Sequence, residues 1–292
     1  MAASGPPEQP TSAVQPERRP RGLRAGRNLW AAIAVGLLMG AGVLVALFTV
    51  RQVFIGIVAA AVAVSSWELA SVLRRAGIRV ALPPVLLGGQ AMVWFAWPFG
   101  RDGILVAFVI TVLVCLVWRS PRGAAGYVRD VSASVFSAAY VAGFAAFATL
   151  LVVPEDGAAR VLSLMVAGVG SDVGGYATGV LGGWHLMAPS ISPKKSWEGF
   201  IGSLLVGTAA GALSVTLLLD GQLWRGVLFG VAIVLTATGG DLIESLIKRD
   251  LGVKDMGTVL PGHGGLMDRL DSLLPSAVVA WLLLVVLVPV AG

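Results

Sequence analysis

The chain has 292 residues, 57% of them hydrophobic, 13% charged and 38 of them glycine, with a net charge of +5. That leaves too little polar surface to clothe a soluble domain of this size, so the bilayer is the solvent for most of the chain. The basic residues are scattered among short loops, which argues against a nucleic-acid partner, and a lone cysteine, Cys115, excludes an intramolecular disulfide or a cysteine-based metal cluster.

Residues 1–27 are rich in Pro, Gly, Ala, Gln and Arg with almost no large apolar side chains, and read as a disordered basic tail. The first apolar run begins near Leu29, too late for a signal peptide, and is read as a retained helix. Apolar runs of about 20 residues, each enough to cross about 30 Å of hydrocarbon, predict spans at 28–50, 52–73, 80–98, 103–118, 130–153, 159–182, 197–219, 223–247 and 272–290. Arg51 alone separates the first two, and Pro83, Pro84, Gly88 and Gly89 predict a kink or re-entrant turn in the third. The expected fold is an all-α polytopic membrane protein of about nine helices with a polar cavity facing the cytoplasm. Its helices divide into an N-terminal set, 28–155, and a C-terminal catalytic region, 156–292.

Cytoplasmic loops carry the excess of Lys and Arg. With the N-terminus inside, 17 of the 21 basic residues fall on the cytoplasmic side, leaving Arg51, Arg101, Arg160 and Arg225 outside. The same orientation puts the loops 183–196 and 248–271 in the cytoplasm, where nucleotide triphosphates are found, and predicts an integral protein of the cell membrane.

The densest ionisable cluster runs from Asp241 to Asp271. At helical spacing Asp241, Ser245 and Lys248 share one face, and an acid at membrane depth marks a site because its burial is expensive. Gly262, Gly264 and Gly265 flank His263 in a loop whose backbone can take positive φ and turn its amides toward phosphate. Asp268 and Asp271, three apart, share a helix face; with Asp241 they can converge on a hard cation such as Mg²⁺, which takes carboxylate and phosphate oxygens. Lys248, Arg249, Lys254 and Arg269 supply positive charge for the remaining phosphate oxygens.

In content and spacing, the run from Ser245 to Asp271 is similar to the signature of the phosphatidate cytidylyltransferase family. It holds Ser245, Lys248-Arg249, Lys254-Asp255, Pro261-Gly262-His263-Gly264-Gly265 and Asp268-Arg269-x-Asp271. Ser171-Asp172, Gly175-Tyr176 and Gly179, followed by Ser192-Pro193-Lys194-Lys195-Ser196-Trp197-Glu198-Gly199, resemble the family's second motif region. Val173 and Gly175 depart from its usual residues, and Ser196 stands where Thr is usual. Together these motifs cover residues 160–290, while the first half matches only as a string of apolar helices.

The resemblance implies transfer of the cytidylyl group of CTP to phosphatidic acid, with Mg²⁺ in a two-cation site. By the same resemblance Asp241 and Asp268 bind the metal, Lys248 and Ser245 lie nearby, and the protein can form a homodimer. Asp271, His263 and Arg269 are added from spacing alone. Lys194, Lys195 and Ser196 precede a helix and make an anion site at its N-terminus, although the positive-inside bias also accounts for the lysines. Asp172, an acid within an apolar span, is assigned to the substrate site rather than to a structural pair with a loop cation.

Glu244, Asp250 and Asp255 are read as solvating a cytoplasmic loop, Tyr176 as packing or an interfacial anchor, and His185 as interfacial. Glu68 in the second span has no motif around it and receives no role. A transporter with carboxylates on an ion path would use Glu68, Asp172 and Asp241 but leaves the Gly-His-Gly-Gly loop unexplained. A CDP-alcohol phosphotransferase requires an Asp-Gly-x-x-Ala-Arg motif that the chain lacks.

Overall fold

The computed structural model describes residues 40–259 and 264–289. The tail and most of the first expected span lie outside them; that span is described only from α1 (Gly40–Thr49) onward. There follow α2 (Arg51–Arg75), α3 (Leu82–Arg119), α4 (Tyr127–Ser137), a π-helical turn (Ala138–Gly143) and α5 (Phe144–Val152). The second half holds α6 (Gly157–Gly182), β1 (Leu186–Ala188), β2 (Ser192–Ser196), α7 (Trp197–Leu218), α8 (Leu223–Asp250), α9 (Met267–Leu270) and α10 (Leu273–Leu287). Among the described residues seven helical stretches are long and apolar enough to cross a bilayer. Helices are the expected solution, because in lipid each backbone N–H and C=O must find its partner within the segment.

Two expected spans, 80–98 and 103–118, are the arms of α3. Gly100 takes φ 57° and ψ −142°, a region that a side chain disfavours. The chain doubles back there, so that Gly88 on one arm meets Thr111 on the other. Each arm is about 27 Å long at 1.5 Å per residue. The loop expected at 183–196 contains an antiparallel hairpin, in which Leu186 pairs with Ser196 and Ala188 with Ser192.

Side-chain bonds sort the arginines to opposite ends of the bundle. At one end Arg119, buried at 4% exposure, donates to Asp130 over 2.9 Å, and Asp130 also receives Arg129 and the Arg79 N–H. At the other end Arg51 donates to the Val153 carbonyl (3.0 Å), Arg160 to the Val288 carbonyl (2.6 Å) and Arg225 to the Leu287 carbonyl (2.7 Å). The division follows the two groups separated by the loop-charge count.

Helices α6, α7 and α8 approach so closely that backbone meets backbone. A Cβ on Gly211 of α7 would stand 2.6 Å from the Gly230 Cα of α8, and one on Gly230 would stand 2.7 Å from the Thr208 Cα. Gly174 of α6 lies against the Gly202 carbonyl of α7 in the same way. Small residues at such crossings replace the missing hydrophobic drive between helices with close packing. Gly230→Leu is expected to destabilise the protein by about 1–3 kcal/mol, because the opposing atoms are backbone and cannot turn aside. Gly56→Ala, where a Cβ meets nothing within 4 Å, should leave the unfolding temperature in detergent unchanged or slightly raised, and thermal unfolding of the two variants checks both.

Candidate active site

The close packing of α6, α7 and α8 leaves a cavity of about 400 Å³ at the end of the bundle where β1 and β2 fold over. Asp172 and Tyr176 line it from α6, Lys194 and Lys195 from β2, Asp241 from α8, and Asp268, Arg269 and Asp271 from the chain after the α8–α9 loop. Ser196 also lines it as the N-cap of α7, where its hydroxyl accepts the Gly199 N–H over 3.1 Å. That bond fixes the start of α7, whose unpaired amides and dipole favour an anion. The Ser203 hydroxyl, bonded to the Ser171 carbonyl at 2.7 Å, ties α7 to α6 beneath the cavity.

Charge inside the cavity is partitioned. Lys195 forms an ion pair with Asp241 and reaches the Thr238 carbonyl at 3.4 Å. Asp241, Glu244 and Asp271 bring carboxylate oxygens within 4.8 Å of one another. Glu244 is fully buried, with one oxygen bonded to Lys248 and the other, Oε1, without a hydrogen bond among the described residues. Three hard oxygen donors, one of them a buried oxygen lacking a partner, are a donor set that fits Mg²⁺.

Asp268 is engaged differently. Its Oδ1 accepts from Lys248 over 3.1 Å, and its Oδ2 accepts the N–H groups of Met256 (3.0 Å) and Gly265 (2.8 Å). Its carboxylate therefore ties Met256 to Gly265 within the α8–α9 connection, and Lys248 bridges it to Glu244. Gly264, at φ 85°, makes the turn that aims the following amide at Asp268.

A model of the cytidylyltransferase family matches residues 30–287, which include every residue of this cavity. The chain belongs to the cytidylyltransferase family. Within it, the chain is 49% identical to a phosphatidate cytidylyltransferase of Mycobacterium bovis, over 97% of this chain and 96% of that protein. It is 53% identical to the phosphatidate cytidylyltransferase of Mycobacterium leprae, over 90% of each. A more distant relative of the same name, from Brucella suis, is 33% identical over 62% of this chain and 63% of its own length.

For this cytidylyltransferase the structure brings together Asp172, Lys194, Lys195, Ser196, Asp241, Asp268, Arg269 and Asp271 around one space. Lys248 joins them through Asp268. Ser245 is half-buried on α8 beside Glu244 and is not among the cavity-lining residues. Arg249 instead donates to the Ile191 carbonyl at 3.2 Å, holding the β1–β2 turn against the end of α8, and Lys254 is exposed on the loop. Gly264 and Gly265 lie beside the Asp268 carboxylate, while Gly262 and His263 lie outside the described residues.

Glu244 corrects the reading of it as a loop-solvating acid, because it faces the interior at 0% exposure. Its spacing held the signal: Glu244 and Lys248 are i and i+4, and Asp241 and Glu244 are i and i+3, so all three share a helix face. Tyr176, 76% exposed, lines the cavity mouth. His185 is exposed and bonds Glu198 at 2.6 Å. Glu244→Gln is expected to weaken Mn²⁺ binding about tenfold, given one lost charged donor of three. Asp250→Asn, on the exposed end of α8, should leave it unchanged; titration of Mn²⁺ by electron paramagnetic resonance distinguishes the two.

Proposed function

We propose that the protein transfers the cytidylyl group of CTP to phosphatidic acid, giving CDP-diacylglycerol and pyrophosphate in phospholipid biosynthesis. The observation that carries this reading is the cavity at one end of an apolar bundle, with Lys194, Lys195 and Arg269 on its walls and the lining acids Asp241 and Asp271 grouped with buried Glu244 behind them. A phosphate oxygen of phosphatidic acid attacks the α-phosphorus of CTP, forming a new P–O bond as the bond to the β-phosphate oxygen breaks. Pyrophosphate leaves with the electron pair. A phosphate monoester is already anionic near neutral pH, so positioning and charge neutralisation matter more than a strong base.

Asp241, Glu244 and Asp271 would hold Mg²⁺. When bound, the ion neutralises charge on the transferring phosphoryl group and the leaving pyrophosphate. Lys194, Lys195 and Arg269 would supply positive charge to the substrate phosphates from the cavity wall, Lys195 from its place beside Asp241. The N-terminus of α7, capped by Ser196, orients a phosphate by its amides. Asp268 keeps Lys248 and the loop amides in register beside the reacting groups, and Asp172 faces the polar substrate groups from α6.

The loop-charge bias supports an orientation with the cavity open to the cytoplasm, where CTP arrives from water while phosphatidic acid enters sideways from the same leaflet. Purified protein in mixed micelles is expected to release pyrophosphate only when CTP, Mg²⁺ and phosphatidic acid are all present, with equimolar CDP-diacylglycerol. Asp241→Asn and Asp268→Asn should each lower kcat by about 10²–10³-fold. CTP left untouched whatever lipid phosphate is offered would sink the reaction; near-normal turnover by either variant would sink its assigned role.

A further inference from the structure

Glu68 lies on α2, in the half of the chain that carries no motif, yet its side chain ends inside the α8–α9 loop. It is 1% exposed. Its Oε2 accepts the Met267 N–H over 2.8 Å, across 199 residues of sequence. Gly257 and Gly265 close around it: a Cβ on Gly265 would stand 2.8 Å from Oε2, and one on Gly257 would collide with Oε1. Both glycines therefore leave room for a carboxylate delivered by another helix. Oε1 is buried with no hydrogen bond among the described residues, a costly state that packing alone does not call for.

The loop that Glu68 enters is the one that Asp268 pins from the other side. Gly265 leaves room for Glu68 where a side chain would stand and gives its N–H to Asp268, and Met267 gives its N–H to Glu68. Met256, Gly257, Gly265 and Met267 are thus held by two carboxylates, one from Asp268 and one from α2. Glu68 holds the Met267 amide and fills the space against Gly257 and Gly265, next to Asp268 on the cavity wall.

We propose that Glu68 is a positioning residue for the reaction, a clamp by which the N-terminal helices hold the Asp268-bearing loop in its working place. Its effect on turnover rests on the cytidylyl-transfer reading; its effect on loop order does not. Hydrogen–deuterium exchange and kinetics on the full chain in detergent, comparing Glu68→Ala and Glu68→Gln with the unmodified protein, separate the two. In Glu68→Ala, exchange at Met267 and across 256–268 is expected to rise about tenfold with the other helices unchanged, since a locally held segment opens on its own. In parallel, kcat should fall about 10- to 100-fold, the cost of a small misplacement at the reacting groups. Glu68→Gln keeps a carbonyl oxygen for the Met267 N–H and should restore most of both.

Unchanged exchange over 256–268 in Glu68→Ala would overturn the clamp. So would a rise spread evenly over all helices, which is the signature of a residue that merely stabilises the bundle. A loosened loop with normal kcat would overturn the positioning role. Should the unmodified protein itself fail to consume CTP, the reaction reading falls, and the exchange pattern still decides whether Glu68 holds the loop.

Discussion

A carboxylate taken out of water is held at a cost of several kcal/mol unless its lone pairs find donors, and three acids in this apolar bundle meet that constraint to different degrees. Asp130 is fully met, by Arg119, Arg129 and a backbone N–H, and it does nothing but knot three segments together. Glu68 has one oxygen bonded and the other without a hydrogen bond among the described residues. Glu244 has a lysine on one oxygen and, among the described residues, no hydrogen bond on the other, and it stands beside two further carboxylates. Glu244 keeps a carboxylate oxygen within 4.8 Å of carboxylate oxygens of Asp241 and Asp271, which line the cavity. Incomplete pairing is what leaves capacity for a cation.

The close packing of α6, α7 and α8 makes that arrangement possible. Glycine at the crossings lets three helices approach until their backbones touch, and the motif residues just beyond the crossings then share one space. A bulkier seam would separate Asp172, Lys195 and Asp241, which come from three different elements. The cavity wall on α6 also runs directly into an apolar surface: Val173, Val180 and Leu181 are exposed within a few residues of Asp172 and Tyr176. Polar cavity and lipid-facing surface are therefore contiguous on one helix.

Much of this was legible in the sequence. Runs of apolar residues pointed to the helices, because a bilayer admits little else, and of the signature residues Asp241, Asp268, Arg269 and Asp271 line the cavity. Glu244 was misread because its neighbours Lys248, Arg249 and Asp250 make the segment look like a solvated loop, whereas the helix turns Glu244 inward and Asp250 outward. Glu68 carried only the general cost of its burial; its partner is 199 residues away, and such a pairing leaves no local pattern. The doubling back of α3 at Gly100 and the small hairpin over the cavity depend on tertiary contacts in the same way. Ser245, which motif spacing placed beside Asp241 and Lys248, shows the converse: sharing a helix face by spacing did not carry it into the cavity lining.

The arginines at the far end of the bundle complete the electrostatic picture. Arg51, Arg160 and Arg225 each give their guanidinium to carbonyls at the ends of α5 and α10, the negative pole of a helix, and Arg101 lies 4.0 Å from Asp102. Among the described residues, these four positive charges thus each have a negative partner within the protein. A count of loop charges therefore overstates what that end can offer an anion, because three of its four guanidinium groups are committed to helix-end carbonyls.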